Sequence, residues 1–410
     1  MWPTSLAYLI LLPALAPLLY YCIALYAGFS FFRAKVKHSC FDRSFAPPVS
    51  ILKPVRGVDR EAYENFASMC QLDYAEYEII FAVADLNDPV IGLIEKLQQE
   101  FPRRSIRLIA GVEQRGSSRK TNSLCSLAEK AKYELLVMND SDVRVDKDYL
   151  WNVVAPLRDP KVGLVTALFR SKTNGGFGAD LDAVGVPTDA AANTLLAWKF
   201  HKLDFAFGWT MAVTKTRLQE IGGFDALIDM HSDDFALGHE IAKRGHRIEL
   251  MREPICMVFP EETLEQFLTH ELRWSVQLKN VRPVGYLGMF LTFGFAWSLL
   301  VAAIVPSTAV AIGYFLAYVA LRFSVAWLIG VWGLGDPTVR KKPWLVFVRD
   351  VVNLALYVAS FFSNTVEWRG ASYHLQGPFM EPIPAKRGTR LPRTVAASKF
   401  DPDAHDALHL

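Results

Sequence analysis

Asp140-Ser141-Asp142 follows directly on an apolar run at 134–138, and that placement gives the triplet its chemical interest. Two carboxylates leaving the end of a buried strand offer hard oxygen ligands to Mg²⁺ or Mn²⁺, ions that keep positions open for water or phosphate. A solvated turn would use the same residue types. A second acidic pair, Asp233-Asp234, follows Ser232 and opens a helical stretch that Gly245 ends. Ser232 is expected to cap that helix, with both acids at its positive end. A carboxylate fixed there, Asp234, could also act as a general base. Asp85 closes another apolar run. It could accept hydrogen bonds from a uracil or ribose, or simply close a turn while Asp88 caps the next helix.

Further along, His270-Glu-Leu-Arg273-Trp274 lies in an amphipathic stretch at 261–281, just before a long apolar region. A guanidinium suits a diphosphate. An interfacial helix with basic anchors and a headgroup-level Trp is the alternative. His231, His239, His246 and His270 lack HExxH or related spacing and are read as non-metal. The five cysteines form no CxxC pair, which argues against a zinc cage and a disulfide framework. No GxGxxG or GxxxxGK loop follows a strand.

The elements that must position these groups are legible as alternation. Strand-length runs at 49–52, 78–83, 106–109 and 134–138 are separated by helical stretches at 60–72, 89–101 and 118–132. That pattern predicts an α/β domain with a mostly parallel sheet and helices on both faces. Further strands are expected at 163–169, 210–213 and 247–251. Ligands of such sheets bind outside the carboxyl ends of the strands. Three of the first four strands end there in polar loops: Lys53-Pro-Val-Arg56-Gly57, the loop from Asp85 to Asp88, and Asn139 to Asp142.

The 44 Lys+Arg against 42 Asp+Glu leave a net charge of +2, which provides no basic field for a nucleic-acid partner. Hydrophobic residues, 51% of the chain, are concentrated at both ends of the sequence. Residues 1–32 carry no charge, and 6–32 are long enough for an uncleaved transmembrane anchor. Arg33, Lys35 and Lys37 then place the chain beyond the anchor on the cytoplasmic side. The expected organisation is an anchor at 1–32, a catalytic domain at 47–282 that includes an interfacial helix at 261–282, a membrane region at 283–366 and a loose tail at 367–410. The membrane region holds candidate segments at 286–305, 309–331 and 344–362, with Arg349 and Asp350 near the start of the third, where they can pair or snorkel. Arg340-Lys341-Lys342 and the basic residues after Trp368 are both cytoplasmic signals, so a full crossing by the third segment conflicts with one of them. One C-terminal segment is therefore expected to be re-entrant or interfacial.

The order Asp85, then DxD, then Asp-Asp, then Arg-Trp, then membrane resembles the membrane-bound GT-A glycosyltransferases, and most closely the ceramide glucosyltransferases of glycosyltransferase family 21. The resemblance covers nearly the whole chain: Ser50 to Asp59 is similar to the family's first strand and nucleotide loop, Asp85 to Pro89 to its first-aspartate motif, and Lys120 to Leu124 to its lysine-asparagine segment. Asp140 and Asp142 stand at the second aspartate motif, Asp234 at the third, Arg273-Trp274 in (Q/R)xxRW, and Glu367 to Gly370 at the post-membrane WRG. What this implies is an inverting transfer from a UDP-sugar to a membrane lipid, ceramide foremost, with Asp234 as base. Asp140 and Asp142 would hold Mg²⁺ or Mn²⁺. Lys53, Arg56, Asp85, Lys120, Asn122, Asp140, His270, Arg273 and Trp274 would bind substrate. The first position of (Q/R)xxRW is His270 here, closer to a bacterial branch that includes hopanoid-associated N-acetylglucosaminyltransferases. Hopanoid- or diacylglycerol-directed transfer is thus the alternative. A processive polysaccharide synthase and a non-catalytic scaffold stand further off.

Overall fold

The computed structural model describes residues 7–37, 44–368 and 371–384. Its centre is a seven-stranded sheet in the order β3-β2-β1-β4-β8-β6-β9. The strands are β1 Val49–Pro54, β2 Tyr77–Val83, β3 Ser105–Ala110, β4 Leu135–Met138, β6 Val162–Thr166, β8 Met211–Thr214 and β9 Arg247–Leu250. β1 to β4 run parallel, with β1 at the crossover between β2 and β4, and β8 is antiparallel to both its neighbours. β1, β2 and β4 read as unbroken apolar runs because both faces of the sheet are covered. Ile51, Ile79 and Val137 face a core closed by Phe66 and Ile94. Leu52, Ile80 and Leu136 face the opposite core with Leu124 and Leu237.

The segment expected as one strand at 163–169 is two. The chain leaves the main sheet after β6, and β7, Phe169–Thr173, enters a small sheet with β5, Val143–Arg144, and β10, Ile255–Phe259, in the order β5-β10-β7. β5 leads directly out of the Asp140–Asp142 loop, so this second sheet fixes that loop's far end. Val258 N donates to the Asp142 carbonyl at 2.9 Å.

Among the described residues two helices, Tyr8–Arg33 and Thr308–Gly333, are long and apolar enough to cross a membrane. A third span arises if the pair Pro283–Thr292 and Gly294–Ile304, bent by 59°, counts as one. The N-terminal helix docks on the second core through Ala27 and Phe31, alongside Ile329. The Phe31 ring meets Trp198 edge-on at 4.9 Å. The Arg252 guanidinium covers both rings, 4.7 Å from Phe31 and 5.0 Å from Trp198. The third expected segment, 344–362, is instead the 16-residue helix Leu345–Ser360. At about 1.5 Å per residue it falls well short of a hydrocarbon core about 30 Å thick. It buries Arg349 and Leu356 against the helices Leu264–Val281 and Phe177–Gly185.

The expected tail also needs correction. Its boundary at 366/367 falls inside β11, Thr365–Trp368, which pairs with β12, Ala371–Gln376, and β13, Phe379–Pro382, as an antiparallel meander. Val366, Tyr373, Leu375 and Met380 bury their side chains with Val276 of the helix Leu264–Val281. Of the expected tail, residues 369–370 and 385–410 lie outside the described residues.

Candidate active site

The carboxyl ends of β1 and β4 meet at a buried lysine. Lys53, the penultimate residue of β1, is fully buried and donates from Nζ to the Asp140 carbonyl at 2.6 Å. It therefore holds the DxD loop from beneath. Burial opposes its charge and brings it down to about 8, against the pull of Asp142 and Asp140. Asn139 anchors the same loop, donating to the Tyr149 hydroxyl at 2.8 Å and the Trp209 carbonyl at 3.0 Å.

Lys120 enters the site from the first turn of the helix Arg119–Lys130, which Ser118 caps through the Thr121 N–H. Its Nζ lies 2.8 Å from Asp140 Oδ1 and 3.4 Å from Asp233 Oδ2. Burial disfavours the ammonium, but Asp140, Asp233 and Asp234 outweigh it and hold Lys120 above its ordinary range. Asp234 comes from the first turn of the helix Asp233–Lys243. Its Oδ2 accepts from Gly208 N at 2.9 Å and its Oδ1 from Phe235 N at 2.8 Å. Burial and the neighbouring Asp233 push its carboxyl up to about 6, with Lys120 pulling the other way.

Gly208 is where these groups converge, and sequence reasoning missed it. A Cβ there would stand 2.6 Å from Lys120 Nζ, 3.1 Å from Asp140 Oδ2 and 3.5 Å from Asp234 Oδ2. A lone Gly between two aromatics carried no signal of this role. Ser232 also departs from expectation. It precedes the helix, but its hydroxyl meets His231 Nδ1 at 2.9 Å and caps no helical N–H. His231 in turn ties the segment to the C-terminal meander: its N–H donates to the Pro378 carbonyl at 3.1 Å.

Asp142 is an unsatisfied acid of the site; Asp233 Oδ2 also lacks a hydrogen bond but has the Lys120 ammonium at 3.4 Å. Asp142 Oδ1 is buried without a hydrogen-bond partner. Burial, with the charges of Asp140 and Asp59, pushes its carboxyl up to about 7. An oxygen donor pair with surplus negative charge and an open lone pair fits a hard divalent cation.

The remaining expected site residues are dispersed. Asp85 is exposed at the end of β2, and its Oδ1 accepts only from Asn87 N, at 2.9 Å, among the bonds described. Arg56 is exposed on the loop after β1. Asp88 ties these two loops by accepting from Gly57 N at 2.9 Å and from Val90 N at 3.0 Å. Asn122 is turned away into its own loop: it accepts from Arg115 N and Gly116 N and donates to the Gly116 and Ser118 carbonyls. That uses the full bonding capacity of its amide. Arg273 donates to Gln277 Oε1 at 3.2 Å and lies 5.6 Å from the Trp368 ring centroid. His270 faces Asp182, Nδ1 to Oδ2 at 3.0 Å, with the Trp274 ring 4.4 Å away.

Comparisons with known proteins converge on this architecture. A mannosyltransferase from Pyrobaculum calidifontis, solved with GDP-Man and Mn²⁺, superposes with a TM-score of 0.55 at 20% identity over 88% of this chain and 99% of that one. At that identity the likeness establishes the GT-A fold. Ceramide glucosyltransferase 3 of Caenorhabditis elegans is 23% identical over 84% of this chain and 76% of its own length. The ceramide glucosyltransferase of Komagataella phaffii is 32% identical over 33% of this chain and 28% of its own. The model of glycosyl transferase family 21 matches residues 9–378, from the first apolar helix into the C-terminal meander, and the chain belongs to that family.

Proposed function

We propose that the chain transfers a hexose, glucose foremost, from a UDP-sugar to the primary hydroxyl of ceramide with inversion, giving a β-glycoside. The observation that carries this is the convergence of Asp234, Asp140 and Lys120 beside Gly208, where a Cβ would stand 2.6 Å from Lys120 Nζ. The names of the C. elegans and K. phaffii relatives support ceramide as acceptor.

In the proposed reaction Asp234 accepts the proton of the acceptor hydroxyl, and a carboxyl held near 6 is ionised and still basic at neutral pH. The acceptor oxygen bonds to the anomeric carbon from the face opposite the nucleotide. The bond from that carbon to the diphosphate oxygen breaks, and UDP departs with the electron pair. Asp142 and Asp140 would hold Mg²⁺ or Mn²⁺, which when bound offsets the diphosphate charge. Lys120 adds a fixed positive charge beside Asp140. Arg273 is assigned to the leaving group, Asp85 and Arg56 to the nucleotide, and Trp274 to the rim of the acceptor cleft. Lys53 and Asn122 serve binding indirectly, by holding the loops that bear those groups. The chain is read as a multi-pass membrane protein with this domain on the cytoplasmic side, because Arg33 closes the first span and Lys35 and Lys37 follow it.

The test is radiolabelled UDP-glucose and ceramide given to membranes that contain the protein, with products resolved by lipid chromatography. Labelled glucosylceramide is expected. Label appearing only in a hopanoid or diacylglycerol, or with a UDP-N-acetylglucosamine donor, supports the second reading, which the His270 departure favours. A high-mass glycan rejects both.

A further inference from the structure

We propose that Asp182, Glu262 and His270 form a second divalent-cation site, built from residues other than the Asp140–Asp142 pair and suited to Mn²⁺ or Zn²⁺. One ligand atom from each of the three lies within 4.8 Å of the others. The donor set is one imidazole nitrogen and two carboxylate oxygens. Such a mixed set favours transition-metal ions over Mg²⁺, whereas the all-oxygen DxD pair does not discriminate in that way. The inference does not depend on which sugar or lipid the enzyme uses.

Two buried carboxylate oxygens at the cluster are left without a hydrogen-bond partner. Asp182 is 1% exposed, and its Oδ1 has no hydrogen-bond partner although Oδ2 is held by His270. Glu271, 6% exposed, likewise leaves Oε1 without a partner while its Oε2 pairs with Arg349 Nη2 at 2.6 Å. Charge points the same way. Three carboxylates, Asp182, Glu262 and Glu271, stand around a neutral or protonated imidazole, and Arg349 compensates Glu271. Asp182 pairs with His270 and feels Arg349, while the partly buried Glu262 has no ion pair among the described contacts, so the three acids outnumber the fixed cation beside them. A divalent cation balances them. Burial and the charge of Asp182 push Glu262 up to about 7, in keeping with that crowding.

The scaffold is rigid where the ligands attach. A Cβ on Gly176 would stand 2.7 Å from the Glu262 carbonyl, so the helix Phe177–Gly185 that carries Asp182 presses on the Glu262 backbone. Thr263 and Gln266 form a capping box that fixes the start of the helix carrying His270. A bound ion would therefore staple the helix Leu264–Val281, with Arg273 and Trp274 on it, to the helix Phe177–Gly185. Spacing along the sequence makes His270 look like a non-metal histidine, because Asp182 comes from a distant segment and Glu262 stands just before the helix that carries the histidine.

The test uses the full chain in detergent, with Asp140→Asn and Asp142→Asn combined to remove the DxD site, and Mn²⁺ alone as the probe. Titration followed by electron paramagnetic resonance is expected to show one bound Mn²⁺ per chain. The echo-modulation spectrum should carry nitrogen coupling from an imidazole ligand, and Mn²⁺ should raise the unfolding midpoint. Adding Asp182→Asn should weaken binding by at least ~10-fold. His270→Gln should abolish the nitrogen coupling. No Mn²⁺ bound by the double variant up to millimolar concentration overturns the proposal, as does binding without nitrogen coupling. Both results come from a chain whose cluster is intact, so they do not hinge on whether the cluster variants fold.

Discussion

Two ionic clusters, one on the apolar helix Thr308–Gly333 and one at the candidate active site, are finished differently. In the membrane-proximal cluster every charge of Arg322 is met: Nε donates to Asp350 at 3.0 Å, Nη1 to the Thr188 carbonyl at 3.1 Å, and Nη2 to both Asp350 and Asp189. The acids are closed in turn, Asp350 by the Tyr318 hydroxyl at 2.6 Å and Asp189 by Asn353 at 3.0 Å. At the candidate active site the inventory stays open. Lys120 serves Asp140 and Asp233, but Asp142 Oδ1 has no partner. A closed network specifies how helices pack, whereas an open one stores charge for something that arrives. The second segment of the membrane region can thus carry an Arg without becoming a functional site.

The comparison breaks most severely at its two central residues. Asp234→Asn removes the proton acceptor and keeps one of the two backbone hydrogen bonds, because its single amide oxygen can stand in for Oδ1 or Oδ2 but not both. Transfer to lipid is expected to fall by about 10²–10⁴ with donor affinity near normal, measured by transfer rate and UDP-sugar binding on folded protein. Asp233→Asn is the control: it weakens the hold on Lys120 and should cost less. Near-normal transfer by Asp234→Asn would leave that carboxylate as a helix-end charge only. Arg322→Met asks the opposite question of the closed cluster. Removing the cation leaves the largely covered Asp350 without its partner, while Asp189 is partly exposed and keeps Arg349 nearby, so a loss of about 3 kcal/mol, the low end for a buried pair, is expected, read as a lower unfolding midpoint in detergent. Donor affinity of whatever remains folded should not change. A selective loss of donor binding would show that the two clusters are coupled.

Asp142→Asn is a smaller perturbation with a sharper readout. One anionic oxygen is lost while the loop's backbone bonds to Val258 and Lys53 remain. Metal-dependent UDP-sugar binding should weaken by at least ~10-fold, followed by calorimetry across a Mn²⁺ series. Unchanged metal dependence would mean that Asp142 is not a ligand.

Legibility in the sequence divides along the same physical line. Strands β1, β2 and β4 were legible because burial on both faces makes them continuous apolar runs, and the edge strand β3 because Ile106, Leu108 and Ile109 still form a short apolar run. β7, Phe-Arg-Ser-Lys-Thr, was not, because four of its five side chains are polar and it is held by pairing with β10. The acids at strand and helix ends were visible as types in order. Gly208 was invisible, since its role is the space it leaves. Ser232 looked like a cap because residue type signals capping, yet His231 takes its hydroxyl. The pairing anticipated for Arg349 and Asp350 does exist, but with Glu271 and Arg322, partners that only the packed helices bring near. Sequence gives the composition of a cluster segment by segment; which cluster is closed and which is open belongs to the tertiary arrangement.

The smallest expected effect concerns pH and turns the openness of the Asp142 site into a stability measurement. A folded-state carboxyl near 7 against an ordinary value of 3.8 means that the folded chain holds this proton more tightly than the unfolded one. Below about pH 4 the group is neutral in both states and adds nothing to any difference between wild type and Asp142→Asn. As pH rises from there to about 7, the unfolded chain releases the proton and the folded chain retains it, so the folded state progressively loses stability. Above about 7 both states are ionised and the penalty is constant. Asparagine carries no such penalty. Without divalent metal, Asp142→Asn should therefore unfold at the same midpoint as wild type near pH 4 and at a higher one by pH 7.5. The gap should correspond to about 1–2 kcal/mol, allowing for water reaching a partly exposed site. Taking the difference between the two proteins cancels other carboxyls raised by burial, Glu262 and Asp234 among them. Mn²⁺ with UDP should close the gap or reverse it, because the ionised wild-type carboxylate then gains a partner that the amide lacks. A gap that does not vary with pH would mean that Asp142 is already compensated, and that this cluster is as closed as the one around Arg322.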